Sequence, residues 1–143
     1  MLSETLKKFG HPNSLIKEYE HWYLLLRPDQ VTLGSMVIIS KSDSTSFSDL
    51  SSEAYADLKY VTTDIEVKLR KYLDFEKINY KMLMMVDPEV HFHVFPRYSK
   101  VIKFMDRGLS DPQYPGLADI TKPKEFDEEE IEELLKNLKD SIK

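Results

Sequence analysis

The stretch Val86-Asp87-Pro88-Glu89-Val90-His91-Phe92-His93-Val94-Phe95-Pro96-Arg97 decides how this chain is read. From Glu89 onward every second residue shares a character, the period of a β-strand, in which alternate side chains lie on one face about 6.6 Å apart. Glu89, His91, His93 and Phe95 then point one way, and Val90, Phe92 and Val94 point the other way, into a core. Asp87-Pro88 is expected to make a tight turn before the strand, and Pro96 to stop it. One face therefore presents two neighbouring imidazoles. A neutral imidazole can attack phosphorus and leave again if its second nitrogen is held as a donor, while its neighbour supplies a hydrogen bond or a proton.

Two other readings of the same residues stand beside this one. A His-x-His pair on a strand is also ordinary structure, and Glu-x-His-x-His offers a metal one carboxylate and two imidazoles. Along a regular strand Glu89 and His93 stand about 13 Å apart, whereas metal–ligand bonds are only about 2 Å. A metal at His91 and His93 therefore needs a ligand from elsewhere, and His11 and His21 show no ligand spacing. No metal or cofactor is expected.

Outward from this stretch, residues 15–26 read as extended, Arg27-Pro28-Asp29-Gln30 as a turn, and Met36-Val37-Ile38-Ile39 as a buried strand. A polar loop covers 41–50. Ser51 or Ser52 can cap a helix whose Ala54, Leu58, Val61, Ile65, Leu69 and Leu73 recur at helical spacing. Ile78 to Val86 is a strand candidate, with Met82, Met84 and Met85 as core fillers. Residues 99–125, with their Pro and Gly, read as an irregular arm. Asp127 and Glu130 have capping-box spacing before a terminal helix carrying Ile131, Leu134, Leu135, Leu138 and Ile142. The class is α+β.

Composition bounds the function. At 143 residues, 41% hydrophobic and 31% charged, the chain has the size and balance of a single globular domain, here taken as 1–143 with a core over about 15–98. The absence of cysteine excludes disulfides, thiol nucleophiles and cysteine-ligated metals. Trp22–Leu26, an apolar run as long as any in the chain, is far short of the about 20 residues that span a bilayer. The N-terminal residues carry no apolar signal block, so a cytoplasmic protein without a membrane partner is expected. A net charge of −5 argues against a nucleic-acid partner, while Arg97, Lys100, Lys103 and Arg107 keep the segment after the histidines basic.

The run His91-Phe92-His93-Val94-Phe95-Pro96-Arg97, preceded by hydrophobic strands and a long helix, resembles the signature of the histidine-triad family of nucleotide hydrolases and transferases. Anchored on Pro96-Arg97, His93 matches the third histidine, His91 the middle one and Glu89 the first. The likeness covers about Trp22 to Arg97. Tyr98-Ser99-Lys100 and Asp111-Pro112-Gln113-Tyr114-Pro115-Gly116 are similar to a bacterial subgroup of the family. It implies an antiparallel sheet of about five strands with the 52–73 helix packed on it, a C-terminal arm and helix, and a homodimer.

By the same resemblance, His91 would be the nucleophile toward the α-phosphorus of a nucleoside phosphoramidate, dinucleoside polyphosphate or similar small nucleotide. His93 would partner the phosphate and the leaving group, and the carbonyl of residue 89 would orient His91. Ser35 stands where the family has a histidine on an earlier strand. Ser35, Glu89, Arg97 and Lys100 are the candidate substrate-binding residues. The family's Gly-containing phosphate loop, with its Gln and Ser or Thr, has no counterpart around Asp87-Pro88, so a nucleotide-binding protein with little or no turnover is the alternative.

Overall fold

The computed structural model describes residues 3–143. Five strands form one antiparallel sheet: β1 (Leu15–Glu18), β2 (Trp22–Leu26), β3 (Met36–Ser40), β4 (Lys77–Lys81) and β5 (His91–Arg97), in the order β1-β2-β3-β5-β4. The α+β expectation and the antiparallel sheet both hold. The extended run 15–26 is a hairpin: the polar Glu20 and His21 sit at its bend, and the Tyr19 N–H donates to the Trp22 carbonyl at 2.8 Å.

The two sheet faces have different covers. On one, Trp22, Leu24, Leu26, Met36, Ile38 and Val94 pack against Val61, Ile65, Leu69 and Leu73 of the long helix, and against Leu134, Leu138 and Ile142 of the last one. On the other, Leu25, Val37 and Ile39 meet Leu6 and Phe9, brought there by the short α1 (Glu4–Lys8). The histidines share this second face, whose cover is small enough to leave room beside them.

The long helix starts where the serines predict. The Ser51 hydroxyl accepts from the Ala54 N–H, and α2 (Ser52–Thr63) runs through a π-helical stretch (Asp64–Leu69) into α3 (Arg70–Leu73). In the π stretch the buried Asp64 accepts from the Tyr19 hydroxyl at 2.7 Å and from Lys17 at 2.9 Å. The last helix, α4 (Glu128–Ile142), opens on the expected capping box between Asp127 and Glu130. Gly34, before β3, adopts φ +84°, and a Cβ there would stand 2.7 Å from Leu73 Cδ1. The helix end closes onto the sheet at this glycine.

Three local expectations are corrected. β4 ends at Lys81, opposite His93, and 82–90 is a loop rather than more strand. Met84 takes a left-handed φ of +52°, which no continuing strand accommodates. Asp87-Pro88 lies within this loop and does not form a two-residue hairpin turn. Pro96 does not stop β5 but pairs opposite Ile78. The Arg97 carbonyl accepts from the Glu76 N–H on the β4 side, so the nitrogen of Pro96 faces the opposite side. There the last β3 partner is Met36 against Val94, and no ladder bond is lost.

The arm is less irregular than its composition suggests, for it holds the hairpin β6 (Ile102–Phe104) and β7 (Arg107–Leu109). It returns to the sheet region through Lys124, whose N–H donates to the Gln30 carbonyl at 2.8 Å. No helix among the described residues is long and apolar enough to cross a membrane.

Candidate active site

His91 and His93 do emerge on one face, with ring centroids 5.0 Å apart and planes at 87°. They lie at the inner end of a cleft of about 450 Å³, whose walls include Phe9, Arg27, Pro28, Asp87 and residues 83–86. His91 and His93 are only 1% and 7% exposed, and both line this cleft.

Each imidazole has one nitrogen fixed by a group that cannot change roles. His91 Nδ1 lies 2.7 Å from the Glu89 carbonyl. A carbonyl only accepts, so Nδ1 carries a hydrogen, and in the neutral ring Nε2 keeps its lone pair. His93 Nδ1 lies 3.0 Å from Arg27 Nη1. A guanidinium only donates, so this Nδ1 is the acceptor and Nε2 carries the hydrogen. Neither Nε2 has a partner among the described residues, yet neither belongs to the buried polar atoms left unpaired. Both therefore face the cleft, one as lone pair and one as donor.

Arg27 is held by its surroundings. Its guanidinium carbon sits 5.8 Å from the Phe9 ring centre and 5.6 Å from that of Phe95, and Nε donates to the Asp29 carbonyl. The loop that delivers it is tied by the fully buried Gln30. The Gln30 amide nitrogen donates to the Arg27 and Ser35 carbonyls, while its oxygen accepts from the N–H groups of Gly34 and Ser35. Burial, then the charge of Arg27, then that of His91 push the His93 imidazole down to about 4. His93 is thus neutral at pH 7 and acts as an N–H donor rather than as an imidazolium acid.

The remaining candidates are placed elsewhere. Of Ser35, Glu89, Arg97 and Lys100, none lines the cleft. The Ser35 hydroxyl donates to the Thr32 carbonyl and accepts from its N–H, closing the turn before β3. Glu89 lies ahead of the strand and its carboxylate accepts from the Thr5 hydroxyl at 2.5 Å, which holds it below the usual carboxylate range. Only its main chain serves His91. Arg97 is buried and bonds Asp111 through Nε at 2.6 Å and Nη2 at 3.1 Å, anchoring the arm. Lys100 is exposed and faces Asp74 at 3.7 Å. With the Glu89 carboxylate turned to Thr5, no three His, Asp or Glu side chains gather as a metal-ligand group among the described residues.

Sequence reasoning missed Arg27, Phe9 and the apolar loop wall. The one available signal was a cation directly after the wholly apolar β2. Its meaning depends on the register that sets Met36 opposite both Leu26 and Val94 and so carries the end of β2 toward β5.

No protein-family model matches the sequence, and no curated protein matches it. Solved structures do match in fold. A histidine triad protein from Bradyrhizobium japonicum superposes with a TM-score of 0.76 at 17% identity, over 100% of this chain and 98% of that one. One from Sinorhizobium meliloti gives 0.76 at 22% identity, over 99% and 96%. A diadenosine triphosphate hydrolase from Plasmodium falciparum gives 0.64 at 12% identity, over 92% and 77%.

Proposed function

We propose that this chain, whose fold is that of the histidine-triad proteins, works as a nucleotide hydrolase or nucleotidyltransferase of that family. It would act at the α-phosphorus of a nucleoside phosphoramidate, dinucleoside polyphosphate or similar nucleotide. The observation that carries the reading is the pair of opposed tautomers: an unprotonated His91 Nε2 and a protonated His93 Nε2 facing one cleft.

The chemistry follows from those two nitrogens. The His91 Nε2 lone pair attacks phosphorus, and the His93 Nε2–H bonds a phosphoryl oxygen, stabilising the charge that develops there. The Arg27 side chain adds positive charge beside the same oxygens. For a phosphoramidate, the P–N bond to the leaving amine breaks as the bond to His91 forms, and the amine takes a proton from solvent. His91 is then a nucleotidyl-imidazolium whose Nδ1–H still donates to the Glu89 carbonyl. Water or another acceptor attacks phosphorus, the bond to His91 breaks, and the attacking oxygen releases its proton to solvent. No metal enters the scheme.

Incubation with an adenosine 5′-phosphoramidate tests this. Wild type should release AMP and show a mass adduct on His91 after acid-free quenching, and His91→Asn should show neither. Equal turnover by the two proteins would refute it. The alternative, a nucleotide-binding protein with little turnover, draws on loop 82–90, which brings Leu83, Met84, Met85 and Val86 where phosphate-binding side chains are wanted. Calorimetric binding of AMP without any His91 adduct would favour that reading. A homodimer belongs to the same proposal and is checked by light scattering on the purified chain.

A further inference from the structure

Loop 82–90 leaves β4 opposite His93 and re-enters the sheet at His91, and its residues 83–87 line the same cleft as the two imidazoles. Its tip is apolar and open: Leu83 is 49% exposed, Met85 88% and Val86 82%, with Ile120 of the arm across the same cleft. Contiguous exposed apolar side chains lining the mouth of a cleft mark a surface that gains by being covered.

The charges in the cleft complement this. Lys8 and Arg27 are its cations, and Asp29 and Asp87 its carboxylates, so the lining sums to zero. Lys8 is already paired with Asp87 at 2.9 Å, and Arg27 is engaged with His93. The cleft has one guanidinium to offer a phosphate and no further cation free of a carboxylate partner among its lining residues. A chain of several phosphates would bring added charges that find no free cation, since Lys8 and Asp87 neutralise each other and Asp29 repels.

We infer that the cleft selects nucleotides in which a single phosphate joins the nucleoside to an apolar amine or alcohol, and discriminates against polyphosphate chains. The inference rests on the nucleotidyl-transfer reading of His91 and His93, and it assigns Leu83, Met85, Val86 and Ile120 to the group that departs.

The test uses the full chain and adenosine 5′-phosphoramidates of methylamine, butylamine and hexylamine, whose near-equal basicity leaves apolar length as the variable, together with diadenosine triphosphate. kcat/KM should rise about tenfold or more from methyl to hexyl, since each buried methylene favours binding, and diadenosine triphosphate should fall about tenfold or more below the hexyl compound. The exposed double variant Met85→Ser/Val86→Ser should bring the hexyl-to-methyl ratio close to one. A flat wild-type series, or diadenosine triphosphate turned over as well as the hexyl compound, overturns the inference while nucleotidyl transfer stands. If no compound is turned over and no adduct forms, the transfer reading fails. The hexyl-to-methyl ratio of Kd for AMP alkyl esters, measured by calorimetry, then still decides the apolar preference, and a flat ratio overturns it.

Discussion

Replacing Arg27 by Met keeps a long side chain between the Phe9 and Phe95 rings but removes both the charge and the donor to His93 Nδ1. In the wild type His93 is displaced from 6.5 to about 4, a cost of about 3 kcal/mol to its protonated form. Burial is the largest cause and Arg27 the next, so the substitution should raise the value while burial still keeps it below 6.5. The sign for stability follows. Because the folded state refuses a proton that the unfolded chain accepts at 6.5, stability is complete above that pH. It declines as pH falls toward 4, by up to about 3 kcal/mol. In Arg27→Met the decline should be shallower.

Titrating the His93 ring by NMR measures the shift directly, and the ring nitrogen shifts report the tautomer. Above its own titration the wild-type ring should hold the hydrogen on Nε2, whereas the neutral ring of the variant should populate both tautomers. Arg27→Lys, which retains the charge without the planar fork, should keep more of the depression than Met does. A His93 value unchanged within about 0.3 unit in Arg27→Met, or a wild-type ring carrying its hydrogen on Nδ1, would refute the account of the opposed tautomers.

Other outcomes follow from single contacts. Arg97→Met leaves the Asp111 carboxylate buried without its partner and should cost about 3–5 kcal/mol, with earlier proteolysis in the 99–125 arm than elsewhere. Gly34→Ala forces a Cβ into a left-handed position and against Leu73, and should lower stability by about 2 kcal/mol in urea unfolding. Thr5→Val removes the hydroxyl that holds the Glu89 carboxyl down and should cost about 1 kcal/mol near neutral pH. That difference should shrink as pH falls below the carboxylate range, because the neutral acid accepts the Thr5 hydroxyl more weakly than the carboxylate does.

The histidine strand and the long helix were legible because each rests on a period: two residues for His91 and His93, and three to four for Val61, Ile65, Leu69 and Leu73. Asp127 and Glu130 were legible for a local reason, since a capping box lies within one turn of chain. What escaped depends on separations that no local pattern encodes. Arg27 meets His93 across 66 residues. Ser35 and Arg97 look like ligand-binding groups until the buried turn around Gln30 and the carboxylate of Asp111 claim them. The strand read through Met82 to Val86 failed because apolar composition alone does not separate a buried run from one at the mouth of a cleft. Pro96 misled because its effect depends on which side of β5 still has a neighbour.

Residue 89 divides its labour between its main chain and its side chain. Its peptide oxygen aims the His91 ring, and any amino acid would bring that oxygen, while its side chain latches the N-terminal helix through Thr5. Histidine, glutamine or alanine at this position would aim His91 equally well. Alanine there should therefore loosen the N-terminal helix and leave His91 Nε2 where it is, separating the opening of the cleft from the aim of the ring.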